Sequence, residues 1–212
     1  MELGSLSASY ESNGDAGAIS SGYMDYGGKS YGAYQLASNT GSVDEFIAWA
    51  QGSNNAVYRQ YGNYLFRFEI ASAGFDQAWA EIATNDGNTF AQMQHDYIKH
   101  AYYDVAVELL RGVYFNIENH SEVMKDVIWS RAVQYGPYNV PDMLLEALAY
   151  FPTVYPNLSY VDDLRFDWDI INGVYEVCKT PAWNNSALRD SLNKRFDSEK
   201  QEALALFSEE LK

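Results

Sequence analysis

Residues 10–35 read YESNGDAGAISSGYMDYGGKSYGAYQ, and this stretch decides how the rest of the chain is interpreted. Glu11 ends a short segment with helical spacing, and Asp25 follows 14 residues later among glycines and tyrosines. Glycine at such density is typical of turns and short strands, so we expect a small irregular sheet or hairpin between residues 13 and 38. The stretch therefore places two carboxylates on two different elements of structure.

Two carboxylates that face each other across a groove are what the cleavage of a glycosidic bond requires. One donates a proton to the leaving oxygen, and the other activates water or stabilises the cationic sugar. Leu3, Leu6 and Tyr10 recur at helical spacing, and Glu11 falls on the same apolar stripe. Desolvation there favours the protonated acid that a proton donor needs, although a helix-end glutamate that turns to water fits the same spacing.

Length and composition predict a single compact domain over residues 1–212. The chain has 212 residues and is 47% hydrophobic, which is enough for one buried core. Residues 184–212 are richer in charge and poorer in aromatic residues, so we expect them to form a C-terminal helical appendage. Downstream of the hairpin the pattern predicts a mainly helical fold. Residues 42–45 (SVDE) form a capping-box sequence in which Ser42 caps a helix that begins at Val43. Further helices are predicted over residues 55–72, 75–84, 89–111, 121–135, 141–150, 160–178 and 186–211.

The charge and hydropathy of the chain exclude several classes of partner. The net charge is −15 and the 14 basic residues are scattered, which argues against nucleic acid. No run of about 18 apolar residues occurs, so we expect no insertion into a membrane. Residues 1–4 lack the basic and apolar regions of a secretory signal. We therefore expect synthesis in the cytoplasm and delivery to any extracellular target by another system.

The sequence gives little support for a metal site, a disulfide or a cofactor. Cys178 is the only cysteine, which excludes an internal disulfide, and no neighbouring histidine supports it as a nucleophile. His95 and His100 are five residues apart, whereas two ligands on one helix face are four apart. We therefore predict no metal site and no cofactor.

The motif resembles a known family of glycan-cleaving enzymes. Glu11 and Ser12, followed by residues 27–35 (GGKSYGAYQ), are similar to the E-S … G-x-x-G-x-x-Q signature of goose-type lysozymes and soluble lytic transglycosylases. Similar openings occur in the glycosidase domains of phage endolysins, and residues 127–136 (VIWSRAVQYG) are similar to a later part of such domains. The resemblance implies a mainly α, lysozyme-like α+β fold with a small β-hairpin beside the active-site cleft.

The resemblance also implies roles for individual residues. Glu11 takes the place of the general acid, and Asp25 takes the place of the aspartate that precedes the glycine and aromatic turn. The residues that line the sugar subsites in this interpretation are Tyr26, Ser30, Tyr31, Tyr34 and Gln35. Tyrosine rings suit this role because they stack on sugar faces while the hydroxyl bonds to the rim, although many of the 18 tyrosines fill the core.

Several alternatives remain open at this stage. Leu36, Ala37 and Ser38 follow Gln35 where goose-type enzymes often carry a further acidic residue, so Asp25 acts alone or a water held by Gln35 and tyrosine hydroxyls replaces it. A water on the far side of the sugar gives inversion and a carboxyl separation of about 6.5–9.5 Å. Without that water, the enzyme acts as a lytic transglycosylase.

Two other charged residues of the motif compete for roles. Asp15 is a rival to Asp25, but its N-G-D context is typical of a turn. Lys29 is either a contact to a substrate carboxylate or a solvated loop residue.

The sequence thus predicts a muramidase or endolysin-like enzyme that acts on peptidoglycan. An acidic protein also attracts a cationic polymer, so a chitosanase or chitinase is the enzymatic alternative. A non-catalytic phage virion component or wall-binding module is the alternative of another class. The oligomeric state is left open.

Overall fold

The computed structural model describes residues 3–8, 14–22 and 26–212. Within this part the chain is mostly helical with one small antiparallel sheet, which confirms the predicted fold class. In chain order the helices are α1 (Ser5–Ala8), α2 (Ser42–Gly52), α3 (Ala56–Leu65), α4 (Ala73–Ile98), α5 (Asp104–Gly112), α6 (Glu122–Tyr135), α7 (Val140–Ala147), α8 (Asp167–Lys179) and α9 (Arg189–Glu210).

Single helical turns connect several of these helices. A π-helical turn, Lys99–Tyr103, lies between α4 and α5. The 3-10 turns are Ile117–Asn119, Pro137–Asn139, Leu148–Tyr150, Leu158–Tyr160 and Leu164–Phe166. None of the helices that the structure describes is long and apolar enough to cross a membrane.

Contacts between Cα atoms divide the chain into two compact units. The smaller unit comprises residues 11–99, and the larger unit comprises residues 1–10 together with residues 100–212. The sequence expectation of one catalytic domain over residues 1–212 stays a prediction.

The predicted hairpin lies in the smaller unit. Strand β1 (Ser30–Tyr31) pairs antiparallel with strand β2 (Leu36–Ala37), with Ser30 opposite Ala37 and Tyr31 opposite Leu36. On the other side of β1, Ile19 forms an isolated antiparallel bridge with Tyr31. In its described residues, the glycine-rich stretch therefore folds as expected. Glycines supply turns next to these short strands.

The helices of the smaller unit differ from prediction at two of their ends. Helix α2 begins at Ser42, and its N-cap is Gly41, so the predicted capping by Ser42 is wrong. The Ser42 hydroxyl instead accepts from the N–H of Ala37 at 2.8 Å and bonds to its carbonyl at 3.1 Å, which ties α2 to strand β2. Helix α3 ends at Leu65, well before the predicted residue 72.

Helix α4 joins two helices that the sequence predicts separately. The N-D-G sequence at residues 85–87 reads as a break, but the helix continues through it with a kink at Asp86, whose φ is −150° and ψ is 54°. The Asp86 carboxylate accepts from the Thr89 hydroxyl at 2.8 Å and so caps the second half of the helix. The predicted helix over residues 89–111 is interrupted by the π-helical turn Lys99–Tyr103.

Aromatic side chains form the core of the smaller unit around Trp79, which has no exposed surface. Its ring centroid lies 4.8 Å from that of Phe90, 5.7 Å from that of Phe46 and 5.2 Å from that of Tyr31. Tilted and edge-on contacts of this kind stabilise a core beyond the area that they bury. Helices α2 and α4 and strand β1 are therefore packed on one another through rings.

The larger unit is built around α6, as its apolar pattern predicts. Ser121 caps this helix, since its hydroxyl accepts from the N–H of Met124 at 3.0 Å. Helix α9 buries Phe196, Ala203 and Phe207 in the same unit. The segment that we expected to be an appendage thus has a buried apolar face, and its status as an appendage stays a prediction.

Charged groups are also buried in the larger unit. Arg131 of α6 and Glu199 of α9 are both fully buried, and their Nη2 and Oε2 atoms are 2.5 Å apart. His120 Nδ1 lies 2.5 Å from Asp167 Oδ1, and neither side chain is exposed. Desolvated charges of this kind are tolerated only when they are paired.

Candidate active site

Both predicted catalytic carboxylates, Glu11 and Asp25, lie outside the residues that the structure describes. Their roles therefore stay predictions. The structure does describe the segments on either side of them, which are residues 3–8 before Glu11, residues 14–22 between the two carboxylates, and the hairpin that follows Asp25.

The segment before Glu11 is anchored inside the larger unit by Asp126. The buried Asp126 carboxylate accepts from the backbone N–H groups of Gly4 and, at 2.6 Å, of Leu6, and from the Ser5 hydroxyl at 3.3 Å. Burial raises the pKa of Asp126, while these three hydrogen bonds oppose the shift. Asp126 thus satisfies amide donors at the start of α1, five residues before the candidate acid.

Trp129 completes this anchor. Gly4 has φ of +88°, and a Cβ added there would lie 2.9 Å from the Trp129 ring. Only glycine therefore lets the N-terminal turn approach α6 this closely. Sequence reasoning noted residues 127–136 by resemblance but missed Asp126, whose signal was an acidic residue within an apolar helical stretch.

Tyr31 lies on the inner face of the hairpin and is fully buried. Its ring centroid is 5.1 Å from that of Phe75, and its hydroxyl donates to Asp76 Oδ1 at 2.5 Å. Burial, followed by the bond to Asp76, raises the pKa of Tyr31 well above its usual value. Tyr31 therefore supports the hairpin from within, and its expected role in a sugar subsite stays a prediction.

Lys29 is also used by the protein itself. Its ammonium group pairs with the carboxylate of Asp76 and donates to the carbonyl of Ala71 at 3.1 Å. Lys29 is therefore bound within the protein rather than simply solvated, and a contact to a substrate carboxylate stays a prediction. Lys29 and Tyr31 together fix β1 to the beginning of α4 through one shared carboxylate.

Gln94 holds the hairpin from α4. Its side-chain nitrogen donates to the carbonyl of Ala16 at 2.9 Å, and its side-chain oxygen accepts from the N–H of Ala33 at 2.9 Å. Gly32 has φ of +75°, and a Cβ there would lie 2.3 Å from the Gln94 oxygen. Sequence reasoning missed Gln94, although a glutamine beside Met93 in the apolar register of a helix was a usable signal.

Ser30 is nearly buried as well, with 8% of its surface exposed. Its backbone N–H donates to the Ser20 hydroxyl at 2.7 Å, and its carbonyl accepts from the N–H of Ser20 at 2.9 Å. The backbone of Ser30 therefore joins two neighbouring segments of the hairpin, and the expected contact between Ser30 and a sugar stays a prediction.

Three predicted subsite residues keep accessible surface. Tyr26 is completely exposed, and its carbonyl accepts from the Asn39 amide at 3.2 Å. Gln35 is exposed in the left-handed region with φ of +53°, and its side-chain amide donates to the carbonyl of Gly32 at 2.9 Å. Tyr34 is half-buried. The outer surface of the hairpin thus presents two tyrosines and a glutamine, which are suited to the faces and hydroxyls of a sugar.

Asp15 behaves as a turn residue. Its Oδ1 accepts from the N–H of Gly17 at 2.8 Å, which is the local bond expected of an N-G-D sequence. Across the described residues, no cluster of three or more His, Cys, Asp or Glu side chains has the geometry of a metal site.

The chain matches one family model over residues 3–200, and that model is described as type VI secretion system spike protein VgrG3-like, C-terminal. A curated relative, the type VI secretion system spike protein VgrG3 of Vibrio cholerae serotype O1 (strain ATCC 39315 / El Tor Inaba N16961), is 32% identical over 210 residues. The match covers 96% of this chain and 19% of the relative, so the chain spans about one fifth of that protein's length.

A solved structure described as a chitosanase complex shares the fold. It superposes with a TM-score of 0.55 at 18% identity, covering 92% of this chain and 87% of the other. Identity this low shows a common fold alone. The fold is thus a mainly helical, lysozyme-like α+β arrangement, as the motif resemblance predicts.

Proposed function

Because the chain belongs to the VgrG3-like C-terminal family of type VI secretion system spike proteins, we propose that it is a glycosidase domain that a spike delivers to bacterial peptidoglycan. The sequence already predicted action on the wall after delivery by another system, and a secretion spike is such a system. We propose this route in place of a phage endolysin, since the family match is to a spike protein.

One observation carries the proposal above the others. The glycine and tyrosine motif that resembles lysozyme signatures folds as a short hairpin in a lysozyme-like chain, and its outer surface keeps Tyr26 and Gln35 exposed. Buried bonds from Gln94 and from Asp76 hold the inner surface. A rigid hairpin with accessible sugar-binding side chains is what a glycan subsite requires.

In the proposed mechanism Glu11 donates a proton to the leaving glycosidic oxygen. Asp25 positions a water for attack on the anomeric carbon or stabilises the cationic sugar, and Tyr26, Tyr34 and Gln35 hold the neighbouring sugars. Asp126 contributes indirectly, because it fixes the turn that begins the segment leading to Glu11. No cofactor takes part in this chemistry.

Chitosan is the second candidate substrate. The shared fold with a chitosanase and the net charge of −15 both favour it, since an acidic surface attracts a cationic polymer. A wall-binding module without turnover is the candidate of another class.

Incubation of the protein with purified peptidoglycan, followed by mass spectrometry of the released muropeptides, tests these candidates. Hydrated reducing ends are expected for a hydrolase, and anhydro ends for a lytic transglycosylase. Chitosan is incubated in parallel. Release from chitosan alone would move the assignment to the second candidate, and no product from either polymer would leave a binding module.

A further inference from the structure

We propose that the smaller unit carries a second, non-catalytic saccharide site in a pocket between α3 and α4. The pocket has a volume of about 330 Å³, which is within the range of small-ligand sites. None of its residues belongs to the hairpin. Those that carry the inference are Gln60, Tyr61, Tyr64, Arg67, Glu81 and Asn85.

The two tyrosines of this pocket are fixed by carboxylates of α4. The Tyr61 hydroxyl donates to Asp86 Oδ2 at 2.7 Å, and the Tyr64 hydroxyl donates to Glu81 Oε2 at 2.7 Å. The kink of α4 occurs at Asp86 itself. Both rings are therefore oriented before any ligand binds, which lowers the entropy cost of binding.

Three polar side chains of the pocket are left for a ligand. In the part of the chain that the structure describes, the carboxamides of Gln60 and Asn85 make no hydrogen bond to protein. The guanidinium of Arg67 lies over the Tyr64 ring, 5.9 Å from its centroid, and pairs with no described carboxylate. The pocket thus combines aromatic surface with free donors and acceptors.

This combination fits a neutral N-acetylated amino sugar. An acetamido group needs both a donor and an acceptor, which a carboxamide supplies, and ring hydroxyls bond to Glu81 and Arg67. The charges of Glu81 and Arg67 balance, so the pocket favours neither an anion nor a cation. The identity of the ligand rests on the proposed function, because such sugars form the glycan strand of peptidoglycan.

A neighbouring pocket on the same unit provides the contrast. It has a volume of about 370 Å³ and is lined by Phe66, Asp44 and Glu69 with no basic residue. Two carboxylates without a balancing cation do not match a neutral sugar in the same way. Phe66 is adjacent to Arg67 in the chain and 69% exposed, so it supplies a matched control.

The test is titration of the N-acetylglucosamine trimer into the Glu11→Gln protein, which prevents turnover, with the side-chain amide signals followed by NMR. Saturable shifts of the Gln60 and Asn85 carboxamides are expected. Arg67→Gln and Gln60→Ala should each weaken binding about fivefold, the equivalent of one lost hydrogen bond. Phe66→Ala should leave the dissociation constant unchanged, and thermal unfolding confirms that each variant is folded.

Absence of saturable shifts at Gln60 and Asn85, or equal affinity in parent and Arg67→Gln, would overturn the site. If the parent cleaves peptidoglycan but the Gln60 and Asn85 signals do not shift, the proposed function stands and only the second site is rejected. A parent that cleaves nothing while these signals shift would lose the proposed function and keep the site.

Discussion

The two units satisfy their carboxylates in different ways. In the larger unit, the buried carboxylates of Glu199 and Asp167 face the cation Arg131 and the imidazole of His120. In the smaller unit, several partly exposed carboxylates accept a hydrogen bond from a tyrosine, and one of them, Asp76, also pairs with Lys29. Among the described residues these pairs are Tyr31 with Asp76, Tyr58 with Asp96, Tyr61 with Asp86 and Tyr64 with Glu81.

This difference separates groups that maintain the fold from groups that face solvent. A charge in a dry interior costs several kcal/mol unless it is paired, so the larger unit depends on its ion pairs for stability. A tyrosine hydroxyl is neutral and orients a carboxylate without removing it from water. The smaller unit therefore keeps several acidic groups ordered near its surface.

The largest expected effect is in the buried pair of the larger unit. Glu199→Gln leaves the charge of Arg131 buried without its carboxylate and also removes the pair of Glu199 with Arg195. Among the described residues, Arg131 keeps hydrogen bonds to Ser130 and the Cys178 thiol and contacts with the rings of Tyr135, Tyr175 and Phe196. We expect a loss of about 3–5 kcal/mol in the free energy of unfolding, measured by chemical denaturation.

Glu108→Gln is the matched control for that variant. Glu108 pairs with Arg111 at 2.6 Å, but both side chains are largely exposed. The same substitution there should cost less than about 1 kcal/mol. Equal losses at the two positions would remove the distinction between buried and exposed pairs.

The next effect concerns the buried amide that holds the hairpin. Gln94→Leu removes the amide that donates to the carbonyl of Ala16 and accepts from the N–H of Ala33. Because Trp79 Nε1 still donates to the Ala16 carbonyl at 2.9 Å, we expect a loss of about 1–3 kcal/mol. Hydrogen exchange at the Ala33 amide should also become faster. Gln92→Leu, on an exposed position of the same helix, is the control and should change stability by no more than about 0.5 kcal/mol.

A smaller effect on stability is expected from two tyrosines of the motif, one buried and one exposed. Tyr31→Phe removes the bond to Asp76 inside the hairpin and should cost about 1–2 kcal/mol. Tyr26→Phe alters a fully exposed ring and should change stability by less than about 0.5 kcal/mol. Thermal denaturation of both variants decides whether Tyr31 is the supporting residue that its burial indicates.

The smallest effect appears only at high pH. Burial, followed by a bond to a carboxylate, raises the pKa of Tyr58 and that of Tyr61 from 10.0 to about 12. Because the folded state favours the neutral phenols, the stability they contribute is present below pH 10 and is lost as the pH rises through 12. Phenolate absorbance should show delayed ionisation in the folded protein.

The Tyr58→Phe variant tests the predicted direction of this pH dependence. The stability difference between parent and variant should shrink between pH 10 and pH 12, since only the parent has the phenol to lose. A difference that stays constant over this range would contradict the linkage.

The sequence predicts elements best where local chemistry and tertiary structure agree. Helix α6 lies within the predicted range 121–135, where Ser121 caps it, and the glycines of residues 27–32 lie in the predicted hairpin. It fails where a tertiary bond overrides a local signal. Ser42 bonds to Ala37 rather than to its own helix, and Asp86 continues α4 through a turn-like sequence because Tyr61 and Thr89 bind its carboxylate.

In the candidate site, too, the sequence predicts some features and misses those that depend on tertiary contacts. Exposure of Tyr26 and Gln35 agrees with the motif, because turn residues of a hairpin point outward. Ser30 and Tyr31 lie between them in the chain but are buried, and the sequence alone does not reveal which residues of so short a strand are buried. Gln94 is distant in sequence from the hairpin that it supports, and Asp126 is distant from residues 4–6 that it anchors, so only the folded chain reveals these contacts.

The proton donated by Glu11 is the central claim, and the Glu11→Gln variant on purified peptidoglycan tests it most directly. Mass spectrometry should detect released muropeptides with the parent and none with the variant, while the two proteins unfold at the same temperature. Muropeptide release by Glu11→Gln at the rate of the parent would contradict the assignment of the acid.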